Sequence, residues 1–433
     1  MLPYSDAPIN VDRIPTIDLK HPTSKAWSLA FTWLIAGCFS IANADEESAD
    51  RIRTRVVPVI FATENIGPAL GLGGVSIGLG QPQAAVFAVG FASKNNSKGI
   101  SLGAVNYQIP RLSSVYFTGF LYDGDFTDYG YFSSNDPGYS LRGNASGRVE
   151  ERLGLRASTA RIQGRWVLPI GAGRDPGFTL SARPVLPQQS QARSGWNPFT
   201  RGITSLRFEW EDQSQDYTSE GNTSRTGARV YRTQLDWDNT GSRQIPRAGG
   251  RASLVSSWGT NHFERGNWRL NELELSGYIP LTREQNRVTQ QVIALNLYAA
   301  DSPNWEPSSS LNRAPEYLGA RLGGLNRLRG YSSARFVDRS AWLYRAEYRL
   351  IPKWQPLAGL FGKLGYRVPW WQFTIFSDVG RVAPSFDLAT FHTDMKVSGG
   401  LGLRIFVEGL LVRIDLGMSD EESTTVFMID QAF

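Results

Sequence analysis

The side chains that most often do chemistry are scarce in this chain. It has three histidines, His21, His262 and His392, far apart in sequence, and one cysteine, Cys38. A single cysteine rules out an intramolecular disulfide, and the histidine spacing matches no zinc motif. No G-x-S-x-G elbow occurs. The glycine run Leu70-Gly71-Leu72-Gly73-Gly74 sits in a strand pattern rather than at a strand-to-helix turn that could hold phosphate. The expectation is a protein that is not an enzyme and carries no cofactor or metal. What the chain has instead is ionic chemistry. Lys and Arg number 45 against 40 Asp and Glu, and 38 of the 45 are Arg, the side chain whose planar fork bonds a carboxylate twice. The net charge of +5 is small and spread along 433 residues. That speaks against a nucleic-acid partner and against an acidic disordered chain.

The elements that must position these charges are strands. Glycine is abundant and 12% of residues are aromatic, which favours strands and turns over helices. Read with period two, 409–418 sets Leu410, Val412, Ile414, Leu416 and Met418 on one face, against Arg413 and Asp415 on the other. The segments 396–407, 371–382, 340–351 and 203–211 repeat the pattern. In the second of these Asp378 falls on the polar face, and in the third Glu347 does. Lengths of about 9–11 residues suit a strand that crosses a membrane, and tryptophans near the segment ends suit interfacial girdles. Further strands are expected at 424–433, 288–300, 268–279, 250–260 and 226–238. Upstream of these they are expected within 147–168 and at 125–134, 111–122, 99–109, 83–92 and 71–80. The fold class predicted is all-β: a transmembrane antiparallel barrel of about 16 strands, with apolar residues facing lipid and ionised ones facing a wet lumen. The connections 169–202 and 301–339 are too long for tight turns and are expected at the outer face or inside the lumen.

The amino terminus reads as an address. Residues Ala26 to Ala44 carry no charge, follow Lys25 and end in Ala42-Asn43-Ala44, an A-x-A cleavage pattern. Residues 1–44 are therefore expected to be a signal peptide, with 1–25 an over-long start, and 45–433 the barrel. An uncleaved anchor and a lipidated Cys38 are the competing readings.

The segment Leu322-Gly323-Gly324-Leu325-Asn326-Arg327-Leu328-Arg329-Gly330-Tyr331 resembles the (V/L)-R-G-(F/Y) loop of the BamA/TamA superfamily of outer-membrane barrels, the bacterial surface antigens. Three further stretches resemble that family in its order. They are Leu235-Asp236-Trp237-Asp238-Asn239 followed by Ile245-Pro246-Arg247 and Gly249, then Phe376-Ser377-Asp378-Val379-Gly380, and finally Gly399 to Arg404 with Phe433 at the end. The resemblance implies a loop folded into the lumen, with Arg329, Gly330 and Tyr331 at its tip. Asp378 and Glu347 are then the acids that anchor it, and Phe433 is the terminal barrel signal. It also implies a Gram-negative outer membrane, contact with outer-membrane lipids, and unfolded or exported proteins as partners. With the barrel expected to start near residue 71, no room is expected between residues 45 and 70 for the POTRA domains that precede the barrel in that family. Protein assembly or transport at the outer membrane is the function expected, and a passive pore or structural surface protein is the alternative.

Overall fold

Alternation along the chain becomes one sixteen-stranded antiparallel sheet. The computed structural model describes residues 52–433 apart from 64–65, 110, 133–142, 146–149, 176–179, 181–194, 243–244, 264–265, 282–286, 307–311, 364, 408–409 and 430. The leader expected at 1–44, Cys38 and His21 lie outside the described residues. The wall begins with β1 (Arg53–Thr63), β2 (Gly67–Ile77), β3 (Ala85–Ser93), β4 (Lys98–Gln108), β5 (Val115–Phe132) and β6 (Glu150–Gly171). It continues through β7 (Ile203–Ser219), β8 (Asn222–Asp238), β9 (Gly249–Asn261), β10 (Asn267–Pro280) and β11 (Val288–Asp301). A two-stranded ribbon, β12 (Ala320–Leu322) and β13 (Phe336–Asp338), interrupts it. The wall then closes with β14 (Ser340–Pro352), β15 (Trp370–Ala383), β16 (Lys396–Val407), β17 (Leu410–Met418) and β18 (Ser423–Ile429). Each wall strand pairs with its sequence neighbours, and the sheet curls until β1 and β18 stand beside each other. Among the described residues no hydrogen-bonded ladder joins those two.

Three sequence expectations change. The stretches 111–122 and 125–134 are a single strand, β5, because pairing with β6 carries straight through Asp123-Gly124-Asp125, a turn signal by composition alone. The extra strand is β1, whose arginines and Pro58 hide its alternation. The long connections also part company. Antiparallel order puts the segment between β11 and β14 at the upper end of the barrel and the one between β6 and β7 at the lower end, where β1 starts.

The outer face is an apolar band. Leu72, Leu102, Leu121, Ile162, Phe208, Leu254, Leu295, Ile375 and Leu401 are all exposed there, as suits a wall that meets lipid. Strands β5 to β8 outrun the band at the upper end, with 17 to 22 residues each. Their outer face there turns ionic, in the pairs Arg156–Asp123 at 3.7 Å, Arg229–Asp212 at 3.4 Å and Arg225–Asp216 at 3.7 Å. Among the described residues no helix is long and apolar enough to cross a membrane. Crossing by strands is unaffected by that.

The inner face is not uniform, and here a fourth expectation fails. On β14 to β17 it is ionised: Arg345, Glu347, Arg349, Asp378, Arg404, Arg413 and Asp415 are all buried. On β2 to β5 it carries rings, aliphatic side chains and glycines, with uncharged polar residues such as Ser101 and Thr118 among them. Register aligns Val75, Phe87, Gly103 and Phe120 in one inward row, which Arg161 on β6 continues. Val89 and Phe91 lie on the same side of β3, with Gly73 and Gly71 as their partners on β2. Period two sorts residues to two faces but does not say which polarity faces in.

Candidate functional site

The site is assembled by the segment between β11 and β14 turning back into the barrel. Glycines make the turn. Gly323, Gly324 and Gly330 have φ of +101°, +106° and +104°, which L side chains rarely adopt. Leu328, at φ 56°, sits in the left-handed region and is fully buried among Tyr298, Tyr331 and Phe336. At Gly330 a Cβ would stand 3.0 Å from the main chain of Met418 on β17. At Gly417 it would stand 2.6 Å from the Gly330 nitrogen. Loop backbone and wall backbone thus meet through two glycines.

This brings the Arg329 guanidinium to the wall with no exposed surface. Its Nε and Nη2 donate to the two oxygens of Asp378 on β15 at 2.9 and 2.8 Å. Nη1 donates to Glu347 on β14 at 2.5 Å and to Asp415 on β17 at 3.2 Å. The Arg329 main-chain N–H also donates to Asp378 at 2.9 Å. The Phe376 ring lies 3.7 Å from the guanidinium carbon, a cation–π contact. One loop side chain therefore ties together three wall strands. Burial alone would lower the Arg329 pKa, but the carboxylates of Asp378 and Glu347 more than reverse this and hold it well above its ordinary value. The acids are shared with wall arginines. Arg349 bonds Glu347 at 2.7 Å, Arg404 bonds Asp415, and Arg413 lies 3.7 Å from Asp415. Buried ions persist only when paired and hydrogen-bonded in this way.

The rest of the loop is pinned on both sides. Arg327 donates to Tyr298 at 2.8 Å and to Glu272 at 3.3 Å, and its guanidinium carbon lies 3.5 Å from the Tyr298 ring centre. Tyr331 donates to Asp420 at 2.5 Å, Ser332 to Glu422 at 2.7 Å and Arg335 to Glu421 at 2.7 Å, all in the turn between β17 and β18. Above the loop, Gly143 bridges to Val337 and Asn144 bonds Asp394. Below, Ile245 from the β8–β9 connection packs on Ile351, Trp370, Phe406 and Leu411. Side chains, loop and both mouths close this half of the lumen.

Of the residues singled out by sequence, Arg329, Glu347 and Asp378 are in direct contact, and Gly330 and Tyr331 flank them. Phe433 is placed differently. The last strand ends at Ile429, so Phe433 does not share a strand face with Phe427. It turns into the lumen, where its ring centre lies 4.6 Å from the Arg345 guanidinium carbon and 4.9 Å from that of Arg349. The physical reason is a buried cationic wall that offers guanidinium faces to an aromatic ring. His262 and His392 make none of the contacts of this cluster: one lies 3.3 Å from Asp212, and the other bonds Tyr344 at 2.9 Å. Asp415, Arg349, Arg404 and Arg413 were not singled out from sequence. Their parity with Asp378 and Glu347 on neighbouring strands was the available signal. Among the described residues no group of His, Cys, Asp and Glu is arranged to hold a metal ion.

No family model and no curated protein matches the sequence. Solved structures do match. BamA from Haemophilus ducreyi lacking POTRA domains 1–3 aligns at a TM-score of 0.50 and 11% identity, over 88% of this chain and 70% of that one. CdiB from Escherichia coli aligns at a TM-score of 0.53 and 13% identity, over 89% of this chain and 64% of that one. The chain thus spans less than two thirds of the CdiB length. At such identities the likeness is one of fold, and the fold is a sixteen-stranded barrel like that of BamA and CdiB.

Proposed function

We propose that this chain is an outer-membrane barrel of a Gram-negative bacterium that acts on other polypeptides, in their assembly or translocation, and is not an enzyme. The observation that carries the reading is the Arg329 clamp. A passive pore needs an open lumen, whereas here a loop fills one half of the lumen and is held by three wall strands. The neighbouring β1 and β18, without a ladder among the described residues, supply a seam through which a client could leave sideways. Outer-membrane lipids are the proposed surroundings of the apolar band, and unfolded or exported proteins the proposed clients. The likeness to BamA and CdiB supports the same reading.

The test is site-specific photocrosslinking in cells. A reactive side chain at Val56 on β1, outward and exposed, is expected to capture precursors of outer-membrane proteins, and one at Leu254 on the far wall is not. Planar-bilayer recordings supply the second arm. The intact protein should be nearly silent, and excision of 323–335 should open it. Steady conductance unchanged by the excision, with equal adducts at both positions, would establish a passive pore instead.

A further inference from the structure

The connection between β14 and β15, residues 353–369, lies at the lower end of the barrel and is too long for a tight turn. Residues 408–409 alone join β16 to β17 at that end. The segment 353–369 holds Lys353, Lys363 and Arg367 and no acid. Between the two lysines the chain forms a short helix, α1 (Pro356–Gly362), whose sequence PLAGLFG has no polar side chain. The segment is tied to the outer side of the wall through Trp371, which points outward from β15. Trp371 donates from Nε1 to the Trp354 carbonyl at 3.1 Å and from its main-chain N–H to Gln355 Oε1 at 2.9 Å. The Trp354 ring stands edge-on to that of Trp371, with centres 6.0 Å apart. Trp354 and Leu360 are 69% and 52% exposed. A Cβ on Gly359 or Gly362 would meet nothing within 4 Å, so this side of the helix is open. Lys353 and Lys363 are exposed as well.

We propose that α1 and its two flanking lysines form a site for anionic phospholipid at the membrane surface. Trp354 and Leu360 enter the acyl region, and Lys353 and Lys363 bind headgroup phosphate. A helix without polar side chains gains free energy when its exposed side leaves water, and seven residues are too few to hold a helix by propensity alone. Position favours lipid over a protein partner. Along β15, Trp371 is followed on the outer face by Phe373 and then by Ile375 of the exposed band, ~14 Å away at ~3.4 Å per residue. The helix therefore continues the surface that meets lipid. Tryptophan beside lysine suits the boundary between acyl chains and headgroups. Charge then selects the headgroup, because cations with no acid among them are drawn to an anionic surface. The inference rests on the outer band meeting lipid and is independent of what the barrel handles.

The experiment uses the whole chain with Cys38→Ser, folded into vesicles of phosphatidylcholine and phosphatidylglycerol. A bimane label is attached at Leu360→Cys. Controls carry it at Leu254→Cys, in the outer band, and at Asn222→Cys, at the exposed tip of the β7–β8 hairpin. The quencher is a nitroxide near the top of the acyl chain, carried by either phosphatidylglycerol or phosphatidylcholine. Quenching at Leu360 should favour phosphatidylglycerol by roughly tenfold in local occupancy, while Leu254 should be quenched equally by both lipids. Lys353→Gln with Lys363→Gln should abolish the preference, with the heat-modifiable folded band retained. Should that variant not fold, about 1 M salt on the unaltered lysines gives the same reading, because it screens their charge. Equal quenching by both lipids at Leu360 would overturn the inference, since the helix would then enter lipid without selecting charge. So would a Leu360 label that neither lipid reaches and that acrylamide quenches as freely as the one at Asn222, which would make this face one for a protein. Failure of lipid quenching at Leu254 too would overturn the barrel reading and this inference together. The tenfold preference with no precursor captured at Val56 would keep the lipid site and reject the proposed function.

Discussion

The inner walls of β14–β17 and β2–β5 have the same pleat and enclose the same lumen, yet one is ionised and the other aromatic. What separates them is what stands against each. The ionised wall is completed by a loop, whose arginine bonds its three acids. On the aromatic wall, glycine lies beneath the Phe87 and Phe91 rings, and among the described residues no arginine of the clamp reaches it. A strand's inward polarity is thus set by its partner across the space, not by facing inward.

Arg329→Ala breaks the comparison most severely. It leaves Glu347, Asp378 and Asp415 buried without their shared cation, a change expected to cost about 3–5 kcal/mol. The measurement is the temperature at which the folded band disappears on a heat-modifiable gel. Melting like the wild type would mean that the acids are balanced by wall arginines alone. Arg329→Lys keeps the charge but loses the two-pronged bond to Asp378, and should fall between the two. Gly417→Ala comes next, at about 1–3 kcal/mol, because the new methyl meets the Gly330 backbone, which cannot rotate away. Bilayer conductance should rise along with the loss of stability. Tyr331→Phe removes a bond to Asp420 and should cost about 0.5–1.5 kcal/mol, read on the same gel. Gly103→Ala sharpens the contrast from the other side. The nearest atoms to its methyl belong to the Phe87 ring, a side chain that can move where a backbone cannot, so the shift should stay within about 0.5 kcal/mol. An effect as large as that of Gly417→Ala would show that something holds the Phe87 ring down.

Much of the ionised wall was legible in the sequence. Alternation sorted Glu347, Asp378, Arg404, Arg413 and Asp415 to one face, and the Gly-rich loop announced a tight turn at Arg329. The aromatic wall was not legible. Its rows, such as Val75, Phe87, Gly103 and Phe120, emerge only when register brings four strands together, and along β2 both faces are small or apolar. β1 was hidden by its own charges, and Gly124 was read as a turn because glycine between aspartates is a turn wherever no neighbouring strand overrides it. The inward course of Phe433 had no signal at all, since it depends on two guanidinium faces supplied from a distant strand.

The contact of Arg329 with β14, β15 and β17 has a consequence for assembly. A slip of β17 by one residue would turn Asp415 toward the membrane and carry Gly417 away from Gly330. The loop could then neither reach its third acid nor fit against the strand. Its tip behaves as a gauge of alignment, able to seat only when three strands are in step, so a misaligned barrel would betray itself by remaining unlatched.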